Sequence, residues 1–331
     1  MKRKIFALAV AAAVLFTLAF AAGCDTDTDG YTFVVPDGAP ALGVVNILDG
    51  TAIDGVEKPE IVPSNTISTR AVQADIAVVP ANLAANLYNQ GQDVKLVGTL
   101  THGNLYVLGA NADDVAQLSD LEGKLVCSIG QNSVPDFVFR KLLADAGLEY
   151  ATGDAAQAGK VTVRYFANGS EVVQQLIQAK NSGSALIGVL AEPAVTNAKD
   201  KGLSELFDLQ ALWQKASGGE VKGYSQAVLI VKSKVAEDEA VMSALISALE
   251  ANGDFVIENS ERVAEIIAAA YPQSSFAGQT FGAATLERCN CGFVSAADGR
   301  QAYETMLNAI MDINPQAIGG KLPDVDFYYG G

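Results

Sequence analysis

Apolar positions along this chain follow two rhythms that take turns. One is the short continuous or alternating run of a strand, the other a stripe spaced by three or four residues, as on a helix packed along one side. Residues 31–35 read as a strand, 36–40 as a turn, and 41–48 as a helix that tolerates Pro40 at its first position. A helical stretch at 65–74 leads to a strand at 75–79 that stops at Pro80. A helix over 81–90, with Leu83 and Leu87 four apart, and a strand over 94–100 follow. Residues 105–109 read as one more strand, on its way out of this first lobe.

The alternation resumes with an apolar start at 118–121, a strand at 124–129 and a turn at 130–133. The helix 134–146 carries Phe137, Leu142, Leu143 and Ala146 near helical spacing. A strand at 161–166, a helix at 170–180, a strand at 185–189 and a helix at 192–199 complete the second set. Ser170 followed by Glu171 and Gln174 is a good helix start. Residues 224–231 are apolar, with β-branched residues at 228, 230 and 231, and read as a return strand. The tail from 235 to 313 is mostly helical, with stripes at Val241, Leu245 and Leu249 and at Val263, Ile266 and Ile267. Repeated strand–helix units predict an α/β protein of two lobes, each a mostly parallel sheet flanked by helices. Crossings near 110 and 223 would make 31–110 plus 224–331 the first lobe and 111–223 the second.

The first 23 residues stand outside this pattern. Lys2, Arg3 and Lys4 precede an unbroken apolar run from 5 to 20, and Ala21, Ala22 and Gly23 lead to Cys24. A basic start, a short apolar stretch and small residues before a cleavage point describe a secretory signal. The run is shorter than the roughly 20 residues a spanning helix needs. A cysteine in the first mature position is similar to a bacterial lipobox, which implies a lipid on Cys24 and residues 24–30 as a polar tether. Acyl chains anchor a protein on a membrane surface without crossing it, at about 0.8 kcal/mol per buried CH₂. Asp25, Asp27, Asp29 and Gly30 imitate the opening of a calcium loop, but Pro36 stands where the bidentate Glu belongs, so no metal is expected.

Charge narrows the partners. The formal net charge is −16; taking Lys2, Arg3 and Lys4 from 22 basic side chains leaves 19 against 38 acidic ones, or −19 for the processed chain. Such a surface keeps a monomer soluble and excludes a nucleic-acid partner, which needs a basic patch. Cys127, Cys289 and Cys291 make no disulfide framework, and Cys289-Asn-Cys291 lacks the second ligand pair that zinc requires. A bridge from Cys127 to Cys289 or Cys291 stays open at this point.

Ligands of doubly wound sheets bind beyond the carboxyl ends of strands, where loops enter helix N-termini. Four segments fit: Asp37, Gly38 and Ala39; Pro80, Ala81 and Asn82; Gln131, Asn132 and Ser133; and residues 190–192, ending at Glu192. Gly38 and Gly130 let a ligand approach the backbone. Asn82, Asn132 and Ser133 offer donors, and helix starts favour anionic groups by about 0.3–1 kcal/mol. The Asn132 and Ser133 side chains serve equally as helix caps, and Glu192 reads first as a capping charge. His102, the only histidine, and Tyr224 are the aromatic candidates, with an ordinary turn histidine as the bland reading of His102. No catalytic set and no cofactor motif is found.

Four stretches, 31–42 (YTFVVPDGAPAL), 74–98 (ADIAVVPANLAANLYNQGQDVKLVG), 120–143 (DLEGKLVCSIGQNSVPDFVFRKLL) and 317–329 (AIGGKLPDVDFYY), together resemble ABC-transporter substrate-binding proteins. The group they are most similar to is the nitrate, sulfonate, taurine and thiamine-pyrimidine binding proteins. The resemblance implies a two-lobed periplasmic-binding-protein-like flytrap of type II with two hinge crossings. It implies no enzyme and no cofactor, but a small-molecule ligand, a sulfonate or other oxyanion or else a heterocycle. It further implies an ABC permease and ATPase as partners, and a place on the outer face of a bacterial cytoplasmic membrane. Two alternatives accompany it. One is a ligand-sensing surface lipoprotein. The other is an enzyme like the fungal thiamine-pyrimidine synthases, whose histidine and cysteine-rich motif Arg288-Cys-Asn-Cys-Gly-Phe293 fails to match.

Overall fold

The computed structural model describes residues 30–217 and 223–330. The signal segment 1–23, Cys24 and all but the last residue of the tether lie outside the described residues. The chain opens with β1 (Phe33–Pro36), α1 (Ala39–Leu42), α2 (Val45–Asp49), β2 (Glu60–Val62) and α3 (Ile67–Gln73). β3 (Ile76–Pro80), α4 (Ala81–Asn89), β4 (Lys95–His102), β5 (Leu105–Ala110), β6 (Leu125–Ile129) and α5 (Val134–Asp145) follow. Next come β7 (Glu149–Thr152), β8 (Lys160–Phe166), α6 (Gly169–Ser182), β9 (Leu186–Ala191), α7 (Ala194–Asp200), β10 (Ser204–Asp208) and α8 (Leu209–Ala216). The return is β11 (Ser225–Val231), then α9 (Ser233–Ala236), α10 (Glu239–Glu258), α11 (Ser260–Ala270), α12 (Ala283–Arg288), β12 (Cys291–Ser295) and α13 (Ala296–Ile313).

These elements build two six-stranded sheets, ordered β12-β4-β11-β3-β1-β2 and β10-β5-β9-β6-β8-β7. β1, β2 and β3 pair in parallel, as do β7, β8, β6 and β9, while β11, β12, β5 and β10 make antiparallel pairs. β5 lies between β9 and β10 and so belongs to the second sheet. The first crossing is therefore at Gly103 and Asn104, not near 110 as the strand pattern suggested. Two residues between apolar runs read as a turn within one lobe, but they carry the chain between lobes.

The side-chain alternation of the strands is what divides the core into layers. Phe33, Val35, Ile76, Val78 and Leu229 face α2, α10 and α11; Val34, Ala77, Val79, Val228 and Ile230 face α3, α4 and α13. In the second sheet Leu105 and Val107 point toward α5 and α8, whereas Tyr106 and Leu108 point toward α6 and α7. Each such Val, Ile or Leu gains about 1.5–3 kcal/mol by full burial. α13 packs on α5, so one apolar layer runs from lobe to lobe behind the hinge.

A reciprocal asparagine pair fixes the long helix of the first lobe. Asn252 on α10 accepts from the Asn46 amide at 3.1 Å and donates to the Leu42 carbonyl at 2.7 Å, and Asn46 donates to the Ala248 carbonyl at 2.7 Å. Both side chains are buried, so losing one leaves backbone groups without water or partner, at about 1–3 kcal/mol each. Asn252→Ala should lower unfolding free energy by about 2–4 kcal/mol in urea titration; an unchanged midpoint would show that α10 is held by apolar packing alone.

Candidate functional site

Between the lobes lies a cavity of about 580 Å³. The ends of five strands open into it: Pro36 of β1, Pro80 of β3, Ile129 of β6, Phe166 of β8 and Ala191 of β9. Both sheets thus turn their carboxyl ends to one gap, the position where doubly wound folds bind ligands.

Of the residues expected from the sequence, the structure brings Asp37, Gly38, Ala39, Pro80, Gln131, Ser133 and Glu192 to the cavity wall. Ala81, Asn82, Asn132, His102 and Tyr224 are not on it. Asn82 is nonetheless an interlobe group, its Nδ2 donating to the Asn132 carbonyl at 3.4 Å while its buried Oδ1 has no partner. Asn132 takes φ 57, which asparagine tolerates, and its own amide donates to Asp136 at 2.9 Å. Tyr224 is 1% exposed, edge-on to Trp213 and hydrogen-bonded to Gln210 at 2.8 Å. Its ring fills the space beside Gly103, where an added Cβ would stand 2.7 Å away, so it packs the crossing and leaves no face for a ligand.

His102 also serves the crossing. Its amide donates to the Asn290 carbonyl at 3.0 Å and its ring Nε2 to the Gly292 carbonyl at 3.1 Å. Asn290 in turn donates to the Gly103 carbonyl at 3.1 Å and Asn104 to that of Cys289 at 3.3 Å. The three cysteines are free thiols; Cys127 lies in the second lobe's core and Cys289 in the first's, so neither bridge left open by the sequence forms. Burial pushes the Cys291 thiol up to about 12 and that of Cys289 well above its ordinary value, which leaves both unreactive.

The sequence reading missed several wall residues. Phe166, Gly169, Ser170, Val173, Gln174 and Ile177, from the end of β8 and the start of α6, line the second lobe's side. The signal was present, since a strand ending at 166 and a helix from 170 meet the same strand-to-helix rule. Ser64 and Asn65 follow β2, a strand of three residues with no periodicity to announce it. Gln226, Ser275 and Gln279 come from the return strand and the segment after α11, which nothing local marks. Gln279 accepts from Asn197 of the opposite lobe at 3.2 Å.

The carboxylates at the wall are already engaged. Asp37 accepts from the Ser275 amide at 3.0 Å and from the Ser274 hydroxyl at 2.5 Å. Glu192, whose side chain is fully buried, accepts from the Thr196 amide at 3.0 Å and from Arg288 Nε at 2.6 Å. It caps α7, as its position suggested. Lys201 is the only cation of the lining among the described residues, and it is exposed at the rim. No histidine lines the cavity among the described residues, and no nucleophile there meets an imidazole base.

Two sheets with facing carboxyl ends, joined by paired crossings around an enclosed polar and apolar cleft, define a type II periplasmic-binding-protein fold. Residues 61–263, more than half of the chain, match the family model described as NMT1/THI5 like, and the chain belongs to that family. The fold is shared with an ABC transporter protein from Parabacteroides distasonis at 23% identity, over 91% of this chain and 98% of that one, with a TM-score of 0.71. It is shared also with the periplasmic aliphatic sulphonate binding protein SsuA from Escherichia coli, at 12% identity over 91% and 92% and a TM-score of 0.65. A ligand binding component of an ABC-type import system from Staphylococcus aureus matches at 12% identity over 91% and 96%, with a TM-score of 0.61. At these identities the likeness is one of fold. No curated protein matches the sequence.

The pH dependence of the crossing can be read from His102. Burial lowers its pKa below the ordinary value, only partly offset by the Gly292 carbonyl, so the folded protein holds the ring neutral. The unfolded chain takes up the proton first as pH falls. Stability from this group is therefore complete above the unfolded value of about 6.5 and is lost below it, toward the lower folded value. Urea midpoints should drop between about pH 7 and about pH 5, and His102→Gln should flatten that drop; equal slopes would remove His102 as a contributor.

Proposed function

We propose that this chain is the extracytoplasmic solute-binding component of an ABC importer, which closes its two lobes on a small molecule and presents the closed form to a permease. The leader 1–23 is removed and a lipid on Cys24 holds the protein at the outer face of the cytoplasmic membrane. The observation that carries the reading is the interlobe cavity of about 580 Å³ at the carboxyl ends of both sheets, within the usual range of about 300–1,000 Å³ for small-molecule sites. A ligand touching both lobes stabilises the closed form by its differential affinity for it.

The wall favours an uncharged ligand with an apolar body over a sulfonate. The three helix starts that the second lobe turns to the cavity each hold a carboxylate of their own. Asp136 takes the Asn132 amide at the start of α5, and Glu171 takes the Ala167 amide at 3.2 Å before α6. Glu192 does the same for α7. Pro135 and Pro40 bring no N–H. Arg288 is committed to Glu192, and Arg164 lies under the ring of Phe166 at 4.9 Å. Ile67, Ile129, Val134, Phe166, Val173 and Ile177 supply apolar surface. An oxyanion entering here would give up its hydration for neutral side-chain donors such as Gln131, Ser133 and Gln174 and one rim cation, Lys201, while the arginines and the second lobe's helix starts are already engaged, a cost of several kcal/mol.

A thermal-shift series tests this reading. Uncharged heterocycles should raise the melting temperature, since a ligand at 100 times its dissociation constant adds about 2.7 kcal/mol, while alkanesulfonates and nitrate should leave it unmoved. A shift with a sulfonate alone would sink the ligand assignment and keep the solute-binding one. Ser133→Trp should abolish the shift without loss of fold, because Ser133 stands on the wall at the start of α5. A full shift in that variant would place the ligand elsewhere.

A further inference from the structure

We propose that Arg288 is a positioning residue that braces the two lobes together before any ligand arrives. It ends α12, held in the first lobe by the buried Leu286 and Cys289, and its guanidinium leaves that lobe altogether. Nε meets Glu192 at 2.6 Å and an Nη meets Glu205 at 2.9 Å, while the guanidinium carbon lies 4.0 Å from the centroid of the Tyr106 ring. Those partners sit at the end of β9, on β10 and on β5, three elements of the second lobe. Among the described residues no other side chain makes an ion pair between the lobes.

The brace reaches the cavity. Glu192 lines it and divides its oxygens between Arg288 and the first turn of α7. The next residue along, Asn197, is on the cavity wall and donates back to Gln279 of the first lobe. Arg288 thus holds the carboxylate that holds the helix that carries a cross-lobe contact. Removing the cation leaves a fully buried carboxylate facing only Thr196, which favours a geometry in which water reaches it. That geometry is an opened cleft. The planar fork matters as well as the charge, because two carboxylates and a ring face are served at once, which an ammonium cannot match.

The inference rests on the cleft being the working site, but its test needs no ligand. Small-angle scattering of the ligand-stripped protein reads the radius of gyration of wild type, Arg288→Lys and Arg288→Met, with circular dichroism to confirm that each is folded. Expected is a compact wild type, an expanded Arg288→Met and an intermediate Arg288→Lys. Glu205→Gln, which keeps the Glu192 pair, should give a smaller expansion and serves should Arg288→Met fail to fold. Equal radii for wild type and the folded variants would overturn the brace. That result would not touch the solute-binding reading, which the thermal-shift series decides.

Discussion

The side-by-side antiparallel run of β4 and β11 is the constraint on which the rest depends. Ser225 at the start of β11 pairs with His102 at the end of β4, so the chain leaves the first sheet and re-enters it at one place. Just across the crossing, Leu105 at the start of β5 pairs with Ala191 at the end of β9. The parallel strands of one sheet therefore end at the crossing on one side, and those of the other sheet end at it on the opposite side. Helix starts follow strand ends, so both lobes aim loops, first turns and capping side chains into the same gap. The buried Tyr224, the neutral His102, the Asn104 contact with Cys289 and the Asn290 contact with Gly103 all serve to hold the crossing in place.

How much of this was legible follows from where each strand lies. The interior strands β1, β3, β4, β6, β8, β9 and β11 are apolar or alternate cleanly, and the sequence pattern finds each of them. The four that escaped, β2, β7, β10 and β12, are the four sheet edges. Edge strands face solvent along one side and are kept short and polar, which erases the periodicity that betrays a strand. Glu149–Thr152 and Ser204–Asp208 have no fully buried residue between them. β5 reads as a strand from its sequence, but the sheet that accepts it is decided by partners far along the chain, β9 and β10.

The site divides in the same way. Strand-end residues such as Asp37, Pro80 and Ser133 follow from a local rule and reach the cavity. Tyr224 and His102 are the aromatic candidates of the sequence, His102 from a segment between two strands, and the register of β4 and β11 turns both into the crossing's own packing. Arg288 was visible only as the neighbour of two cysteines. Its role appears when Glu192 and Glu205, distant in sequence, are brought to its guanidinium from the other lobe.

Capping and recognition are then one matter in this cleft. A carboxylate at a helix start stabilises its own helix by about 0.3–1 kcal/mol, and it occupies the field that would otherwise attract an anion. Asp136, Glu171 and Glu192 each do both. The same economy sets how strongly the cleft can bind. An apparent dissociation constant rises as the competent conformation becomes rarer, by the inverse of its population. If closure relied on the ligand alone, a neutral molecule without ionic contacts would have to supply all of that shift through burial and a few hydrogen bonds. A cross-lobe pairing between Arg288 and two carboxylates supplies part of it from within the chain. A cleft whose second-lobe helix starts hold carboxylates of their own has the most need of a brace that is independent of its guest.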